Sequence, residues 1–493
     1  MKYYSTRSKA APLKAAEAIF LGMAPDGGLF VPESFPHYLP QQLADLTYRE
    51  LAEAIFALYL DDYSSQELAQ MVEDAYYSGN FDAAIAPTIT VGEKELLELW
   101  HGPTAAFKDM ALQIMPHFLT AAVKKTGSNK EVVILVATSG DTGKAALEGF
   151  KDVKGVKIIV FYPAGGVSRI QELQMLTTTG NNTYVVGING NFDHCQTAVK
   201  EIFADTDFAQ KMAEAGKQFS SANSINWGRL LPQIVYYYYA YGQMVAKGRI
   251  KNGEKINAVV PTGNFGDILA AYYAKRMGLP LDRLICASNE NNVLTEVITT
   301  GKYDRRRPFY KTTSPSMDIL VSSNFERFIF DILEQDNQQT ATAFKKLKEE
   351  GSFVVAPEVV DKWQEFLAAG FADQAEVQKI IAQVFQKHQY LMDPHTAVAY
   401  AVAEKYQKKT GDKTPLLVVS TASPYKFPTA VLQALDVDIQ GFAENDLPVL
   451  LAEIASGKVH PALLDLDKKE IRHHLQADKS QIAEKVASIL EIS

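Results

Sequence analysis

From about residue 86, short apolar runs alternate with stretches of helical periodicity. Each run is typical of a buried β-strand that ends in a turn rich in Gly, Ser, Thr or Asn. The runs are EVVILVATSG, VKIIVFYP, NTYVVGING, INAVVPTGN, LICASN and PLLVVSTAS. This alternation predicts an α/β fold, in which parallel sheets are wrapped by helices. Because ligands of open α/β sheets bind outside the carboxyl ends of the strands, we expect function in the loops that end these runs.

The chain of 493 residues is too long for one hydrophobic core and should divide into about two to four domains. Residues 1–85 are predicted to form a mostly helical N-terminal domain, with one helix over Tyr48–Leu60 and another that begins near Ser64, capped with the help of Glu67. Residues 86–430 are predicted to form two α/β lobes, and residues 431–493 a C-terminal helical segment.

Charge and cysteine content exclude several classes of function. The formal net charge is -9, and the one basic run, at residues 305–307, is typical of a solvated loop, so no nucleic-acid partner is expected. No apolar run is long enough to span a membrane. Cys195 and Cys286 lie far apart, and the N-terminus carries no apolar core of signal-peptide length, so a reduced cytoplasm is the simplest compartment. The nine histidines lack metal-site spacing, and no metal is expected.

The segment WHGPTAAFKDM, residues 100–110, places Lys108 after a run of small and apolar residues. Burial disfavours the ammonium form, so a lysine in such surroundings can form a Schiff base with an aldehyde and then act as a base. The alternative is a lysine on a solvated helix face that pairs with Asp109. The choice depends on whether other loops require a Schiff base here.

The loop TSGDTGK follows the strand VVILVA and combines hydroxyls, glycines and a helix N-terminus, which suits an anion. A P-loop would need Gly where Thr138 stands and Ser or Thr where Ala145 stands. Both residues differ from that pattern, so the loop does not indicate nucleotide hydrolysis. A carboxylate or a small phosphate remains as the ligand.

Two further loops end strands of the same region. In VVPTGNFGDILAA, Gly263 and Gly266 allow close backbone approach to a phosphate, with Asp267 expected as the helix cap; the alternative is an ordinary strand-to-helix turn. In VVSTASPYKFP, Thr421 and Ser423 offer neutral hydroxyls at the end of a strand, as a partner for a pyridine nitrogen or as a simple turn.

The three elements together suit an aldehyde-bearing pyridine phosphate, and the motifs also carry a resemblance. HGPTAAFKD, ATSGDTGKAALEGF, PTGNFGDILAA, SPSMDILVSSNFER and STASPYKF resemble those of the threonine synthases, as do APDGGLFVPE and SANSINWGRLLPQ. The blocks occur in order from about residue 4 to about residue 430. The resemblance is to the longer microbial and fungal type, and it implies the fold type II architecture of pyridoxal-phosphate enzymes.

The resemblance also implies a reaction and a set of site residues. O-phospho-L-homoserine and water would give L-threonine and phosphate, with Lys108 carrying the cofactor pyridoxal 5'-phosphate and moving protons at the α and β carbons. The expected cofactor-binding residues are Lys108, Gly263, Asn264, Phe265, Gly266, Asp267 and Thr421. The expected substrate-binding residues are Ser139, Gly140, Asp141, Thr142, Lys144, Arg169, Ser221 and Asn223. Asp141 is a complication, because two carboxylates side by side repel each other.

Other functions remain open at this stage. A serine or threonine dehydratase of the same fold would need no second phosphate site, and a phospho-lyase acting on a related amino-alcohol phosphate is a further alternative. A non-catalytic relative that binds pyridoxal phosphate or another phosphometabolite is a different class, against which the retained Lys108 argues. The expected partner is the small-molecule substrate, bound by a monomer or a homodimer.

Overall fold

The computed structural model describes residues 1–190 and 192–492, without the side chains of residues 192, 193 and 204. The N-terminal region opens with two short strands that pair antiparallel and contains three helices. Its elements are β1 (Tyr3–Ser5), α1 (Ala15–Leu21), β2 (Phe30–Pro32), α2 (Tyr48–Tyr59) and α3 (Ser65–Tyr76). Ser64 caps α3 by accepting from the Glu67 N–H, as its sequence position predicts.

The chain then enters the α/β region, where a five-stranded parallel sheet forms one lobe. The elements of this stretch are β3 (Thr88–Val91), β4 (Lys94–Glu98), α4 (Asp109–Leu112), α5 (Met115–Lys125), β5 (Glu131–Ala137), α6 (Asp141–Phe150), β6 (Val156–Pro163), α7 (Arg169–Leu176), β7 (Thr183–Asn189), α8 (Phe192–Ala204), α9 (Thr206–Glu214) and β8 (Lys217–Ser220). Strands β7, β6, β5 and β8 are neighbours in that order. Strands β5, β6 and β7 confirm three predicted strands, whereas β8 was not predicted.

The second lobe is built on a six-stranded sheet. The elements that follow are α10 (Trp227–Leu230), α11 (Pro232–Ala246), β9 (Ile256–Pro261), α12 (Gly266–Arg276), β10 (Leu281–Ser288), α13 (Val293–Thr300), β11 (Lys302–Asp304), α14 (Phe325–Ile332), α15 (Asn337–Glu349), β12 (Ser352–Val354), α16 (Pro357–Gln364), β13 (Leu367–Phe371), α17 (Gln374–His388), α18 (Pro394–Thr410) and β14 (Leu416–Ser420). The strand order is β13-β10-β9-β14-β4-β3, and all pairs are parallel except β3 with β4.

The C-terminal segment returns to the first lobe. Its elements are α19 (Pro428–Ala434), α20 (Leu447–Ala455), β15 (Leu475–Asp478) and α21 (Ile482–Leu490). The segment was predicted to be helical, but β15 adds a fifth strand to the first sheet by pairing parallel with β7. The short run LQAD gives too little apolar alternation to reveal a strand, since its side chains at the sheet edge are mostly exposed.

The N-terminal region shares its core with the two lobes. Buried residues of α2 belong to the same apolar cluster as residues of α5, α11, β5 and β9. The rings of Phe56 and Phe118, for example, meet edge to face with their centroids 5.2 Å apart. Residues 1–85 therefore do not form a core of their own, because the apolar faces of their helices are covered by the two α/β lobes.

Helix α11 carries the run of four tyrosines at residues 236–239. The Tyr236, Tyr237 and Tyr238 rings are buried, and their hydroxyls donate to Asp267 (Tyr236 and Tyr237) and to the Tyr38 carbonyl. Helix α11 is thus a core helix whose tyrosine hydroxyls reach polar partners. Among the described residues, no helix combines the length and apolar character needed to cross a bilayer.

Arg327 on α14 is fully buried and joins three parts of the chain. Its guanidinium donates to the Phe30 carbonyl at 2.9 Å, to Asn324 Oδ1 at 2.6 Å and to the Ile225 carbonyl at 2.6 Å. Because the planar fork satisfies acceptors in three directions, a lysine cannot replace it. The contacts of Arg327 are those of a structural residue.

We expect Arg327→Lys to lower the free energy of unfolding by about 3 to 5 kcal/mol, since buried acceptors lose their donors and a buried charge loses its partners. Denaturant unfolding followed by circular dichroism measures this. Arg306→Lys is the matched control, because Arg306 is exposed and pairs with Asp304. Equal stability of the two variants would contradict the structural role.

Candidate active site

Three neighbouring parallel strands deliver the predicted site residues to one edge of the second sheet. Strands β9, β14 and β4 are adjacent in the order β9-β14-β4. The loop to Lys108 follows β4, the turn at residues 263–266 follows β9, and Thr421 follows β14. Residues more than 300 positions apart in sequence therefore meet at the carboxyl ends of the strands, where ligands of such sheets bind.

The amine of Lys108 is buried, and only 9% of the residue is exposed. Its Nζ donates to Ser316 Oγ at 3.1 Å and lies 3.8 Å from Asp141 Oδ2. Burial lowers the pKa of Lys108 to about 8, because the loss of solvation outweighs the stabilisation of the ammonium by Asp141. The positive charges of Lys426 and Arg229 also lower this pKa. The solvated alternative, with Asp109 as the partner, is not observed, since Asp109 binds the Thr104 hydroxyl and N–H instead.

A short backbone pairing fixes the Lys108 loop against Thr421. The Phe107 N–H donates to the Thr421 carbonyl at 2.8 Å, and the Ser423 N–H donates to the Ala105 carbonyl at 3.1 Å. Thr421 is 6% exposed, and the Ser423 hydroxyl is buried with no hydrogen-bond partner in the described part of the chain. A buried hydroxyl without a partner costs free energy unless a ligand completes it.

The turn before α12 presents a row of backbone donors. The N–H groups of residues 264–267 find no acceptor within the described chain, as expected at a helix N-terminus. Phe265 has a φ of 60°, which turns successive amides toward one side. A Cβ on Gly263 would lie 2.4 Å from the Ser316 carbonyl oxygen, so this position requires glycine. The turn can hold a phosphate.

Asp267 does not cap α12, contrary to the prediction from sequence. Phe265 is the N-cap residue and makes no side-chain cap bond. Asp267 Oδ1 accepts from the hydroxyls of Tyr236 and Tyr237, each at 2.6 Å, and Oδ2 is buried without a partner. Burial raises the pKa of Asp267 to about 6, although the tyrosine hydroxyls lower it. The two tyrosines on α11 thus hold the Asp267 carboxylate in the core. This contact joins residues about 30 positions apart, so only the tertiary structure determines it.

Some hydrogen-bond donors of the loop after β5 are bonded within the loop, and others have no partner among the described residues. The Thr138 hydroxyl accepts from the N–H groups of Gly140 and Gly143 at 3.0 and 2.9 Å. Gly140 has a φ of 132°, and a Cβ there would meet the Gln171 side chain at 2.5 Å. The N–H groups of Asp141 and Thr142, and the hydroxyls of Ser139 and Thr142, have no partner among the described residues. These groups suit a carboxylate.

Asp141 is neutralised from within the protein. Its Oδ1 accepts from Lys426 Nζ at 2.9 Å and from Gln171 Nε2 at 2.9 Å, while Lys426 also donates to the Thr104 carbonyl. Although burial raises the pKa of Asp141, the charges of Lys426 and Lys108 bring it well below its usual range. The ionised carboxylate therefore turns toward the lysines and away from a role in binding a second carboxylate.

Lys144 and Arg169, the two cations expected near the substrate phosphate, are engaged elsewhere. Lys144 Nζ pairs with Glu148 at 2.7 Å and donates to the Thr178 hydroxyl. Arg169 is exposed and pairs with Glu172 at 2.7 Å. The structure does not bring either side chain into contact with Lys108.

The segment SANSINWGR carries a buried cation, Arg229, that the sequence motifs did not predict as a site residue. Arg229 is 4% exposed, donates to the Ala222 carbonyl at 3.0 Å, and leaves Nε buried without a partner. No carboxylate pairs with it among the described residues. Burial lowers the pKa of Arg229 to about 10. An arginine inside the apolar run WGRLLPQ was the available signal, because a buried cation needs a counter-ion.

Ser221 and Asn223 line the same segment. Ser221 is buried and its hydroxyl accepts from the Asn223 N–H at 3.2 Å. Asn226 caps α10 and ties the segment to the Ile19 carbonyl, while the Ser224 carbonyl accepts from Asn324. The Arg229 guanidinium is thus held beside residues 221–224.

These residues fit a pyridoxal phosphate group. The chain offers a buried amine of lowered pKa at Lys108, unpaired amides for a phosphate at residues 264–267, and the hydroxyls of Thr421 and Ser423 at a neighbouring strand end. Within the described residues, no three His, Cys, Asp or Glu side chains are arranged to hold a metal ion.

Comparisons with known families cover almost the whole chain. The model described as "Threonine synthase N terminus" matches residues 2–76, "Pyridoxal-phosphate dependent enzyme" matches 96–422, and "Threonine synthase, C-terminal" matches 396–475. A crystal structure of PLP-bound threonine synthase from Brucella melitensis superposes with a TM-score of 0.84 at 34% identity and covers 99% of both chains.

Sequence relatives agree with the family models. Threonine synthase of Saccharomyces cerevisiae is 35% identical over 96% of this chain and 98% of its own length. Human "Threonine synthase-like 1" is 40% identical over 94% of this chain. This chain spans only 63% of the length of that human protein.

The raised pKa of Asp267 predicts a pH-dependent stability. The folded chain binds this proton more tightly than the unfolded chain, whose pKa is the ordinary 3.8. The stabilisation is therefore fully present below about pH 4 and is lost as the pH rises through about 6, a change of about 3 kcal/mol. Asparagine keeps an acceptor for the tyrosines but cannot ionise.

We expect the stability of the wild type, relative to Asp267→Asn, to fall between about pH 4 and about pH 6 and to stay level above. Thermal unfolding across this range measures it. Asp361→Asn on the exposed face of α16 is the control. A constant difference between wild type and Asp267→Asn would contradict the assignment.

Proposed function

Since the chain belongs to the threonine synthase family of pyridoxal-phosphate-dependent enzymes, we propose that it converts O-phospho-L-homoserine and water to L-threonine and phosphate. The observation that carries the proposal is a buried lysine amine accompanied by two separate cationic or amide-lined anion sites. One is the row of amides before α12, and the other surrounds Arg229. Two phosphates, one of the cofactor and one of the substrate, account for both.

Three parts of the chain would hold the cofactor. Lys108 would carry it on its amine, the amides of residues 264–267 would bind its phosphate, and Thr421 would face the ring nitrogen. When bound, pyridoxal phosphate supplies an electron sink for the carbon that carries the substrate amine. A neutral hydroxyl does not stabilise a charged ring nitrogen as a carboxylate would, so Thr421 keeps this sink moderate.

Lys108 would move protons between substrate carbons. With a pKa of about 8, its amine changes between neutral and charged forms at little cost near neutral pH. It takes a proton from the α carbon and then serves the β carbon, where removal of a proton allows phosphate to leave the γ carbon. Lys426 keeps Asp141 ionised, so the carboxylate lies 3.8 Å from the amine without taking its proton.

The substrate would be held at both ends. Its carboxylate is proposed to bind the hydroxyls of Ser139 and Thr142 and the N–H groups of Asp141 and Thr142. Its phosphate is proposed to bind Arg229, whose guanidinium offers a bidentate fork, with Ser221 and Asn223 close by. We thus transfer the phosphate role from Lys144 and Arg169 to Arg229, since the first two are paired with glutamates.

The same site separates the rival functions. A serine or threonine dehydratase has no use for a second phosphate site, and the unpaired Arg229 favours a phosphorylated substrate. A non-catalytic relative would not need a buried amine of lowered pKa. We further propose a reducing compartment such as the cytoplasm, because Cys195 and Cys286 are both free and buried, and a monomer or homodimer as the working unit.

Phosphate release from O-phospho-L-homoserine by the purified protein tests the function. We expect L-threonine as the product, and a loss of at least about 1,000-fold in Lys108→Ala together with the visible absorption of the bound cofactor. Lys255→Ala, exposed and paired with Asp282, is the control. Visible absorption without phosphate release would retain the cofactor and refute the substrate.

Replacement of Arg229 tests the phosphate site. We expect Arg229→Gln to lower kcat/KM about 100-fold, because a desolvated charge-assisted contact is lost, while Arg229→Lys retains part of the binding. The affinity for pyridoxal phosphate should stay within about threefold of the wild type in both. Arg169→Gln serves as control. Weakened cofactor binding in Arg229→Gln would instead place the cofactor phosphate at this arginine.

A further inference from the structure

One hydroxyl connects the Lys108 amine to the buried carboxylate of the site. Ser316, in the motif SPSMDI, accepts from Lys108 Nζ at 3.1 Å and donates from the same Oγ to Asp141 Oδ2 at 3.2 Å. It is the only hydrogen-bond partner of the Lys108 amine among the described residues. None of the roles derived above uses this serine.

A histidine on α18 accepts a hydrogen bond from the backbone of Ser316. The Ser316 N–H donates to His395 Nε2 at 3.2 Å, so the ring proton lies on Nδ1, which donates to Asp393 Oδ1 at 2.7 Å. Asp393 is fully buried, caps α18 and accepts from the Thr396 hydroxyl. The ring is thereby oriented by a second residue and cannot turn away from the loop.

The loop has little freedom to move from this position. Its short 3₁₀ turn, Pro315–Met317, lies directly over Gly263, where a Cβ would approach the Ser316 carbonyl to 2.4 Å. On its flank, Asp318 accepts from the Thr312 N–H and hydroxyl and from Asn289 and Asn291. His395 from α18 and Gly263 from the other side thus confine Ser316.

We propose that Ser316 and His395 are positioning residues for Lys108: His395 fixes the Ser316 backbone, and the Ser316 hydroxyl orients the Lys108 amine and couples it to Asp141. The inference rests on the proposed function in one respect, namely that Lys108 is the residue that reacts with the cofactor aldehyde.

The Ser316 hydroxyl favours one protonation state of the Lys108 amine. Ser316 Oγ accepts from the protonated amine and passes its own proton toward Asp141, so the bridge stabilises the ammonium form. The charged groups that act on Lys108 are Asp141, Lys426, Arg229 and Asp109. Asp141 acts directly across 3.8 Å, and the Ser316 hydroxyl also bridges it to the amine. Removal of this hydroxyl takes away a hydrogen bond that favours the ammonium form, so it should lower the pKa of the amine.

The experiment measures the rate at which the full-length chain, freed of cofactor, binds pyridoxal 5'-phosphate. The rate is followed by visible absorption at a series of pH values. Only the neutral amine attacks the aldehyde, so the rate rises to a plateau, with a midpoint near the wild-type pKa of about 8. We expect Ser316→Ala to lower the midpoint of the rate profile by about 0.5 to 1 pH unit and to leave the plateau rate unchanged. Ser316→Thr should restore it.

His395 is tested with a matched pair of amides. Asparagine keeps a donor toward Asp393 at the position of Nδ1 but has no group at Nε2, whereas glutamine places an oxygen near the position of Nε2. We expect His395→Asn to shift the midpoint in the same direction as Ser316→Ala, and His395→Gln to shift it less. Thr313→Ala, whose hydroxyl donates to Gln374 in the same loop, should leave the midpoint unchanged.

The double variant separates positioning from general damage. If His395 acts through Ser316, His395→Asn adds no shift in the Ser316→Ala background. Additive shifts, an unchanged midpoint in Ser316→Ala, or loss of capture at every pH would each overturn the inference. Because no substrate enters the assay, failure of phosphate release from O-phospho-L-homoserine would refute the proposed function and leave this result intact.

Discussion

The balance of buried charge around Lys108 is the constraint on which the site depends. Three cations, Lys108, Lys426 and Arg229, lie in the interior. Among the described residues, Asp141 pairs with Lys108 and Lys426, and the buried Asp109 acts on Lys108 more weakly. Asp141 pairs closely with Lys426, so Lys108 receives only partial compensation and its pKa falls to about 8. Arg229 receives none from the protein. A site with surplus positive charge in a buried environment is suited to anionic ligands, and phosphate and carboxylate groups supply the missing negative charge.

The fold produces this surplus by bringing distant segments to one edge. Strands β4, β14 and β9 are neighbours, so the loops at residues 105–108, 421–423 and 263–266 leave the sheet side by side. The first lobe contributes the N-terminus of α6, and α18 contributes His395. Lys108, Thr421 and the amides of residues 264–267 cannot separate without breaking strand pairs, so the parts proposed to hold the cofactor stay in a fixed relation.

Pairing within the chain decides which polar residues remain free for ligands. Lys144 and Asp267 are both polar residues in motifs of the predicted site, yet Glu148 engages the first and two tyrosines engage the second. Arg229 and the amides of residues 264–267 have no such partners in the described part of the chain. The distinction follows from the cost of burying an unpaired polar group, which a structure tolerates where a ligand completes it.

The sequence by itself determined six of the strands in the two sheets, the capping of α3 and the motifs around Lys108, because apolar periodicity and turn residues are local signals. Only the tertiary structure decided the rest. The shared core of residues 1–85, the edge strand β15, the withdrawal of Asp267, the neutralisation of Asp141 by Lys426 and the link from His395 through Ser316 to Lys108 all join residues far apart in sequence. Such contacts leave no local pattern, since they depend on which surfaces meet once the sheets have formed.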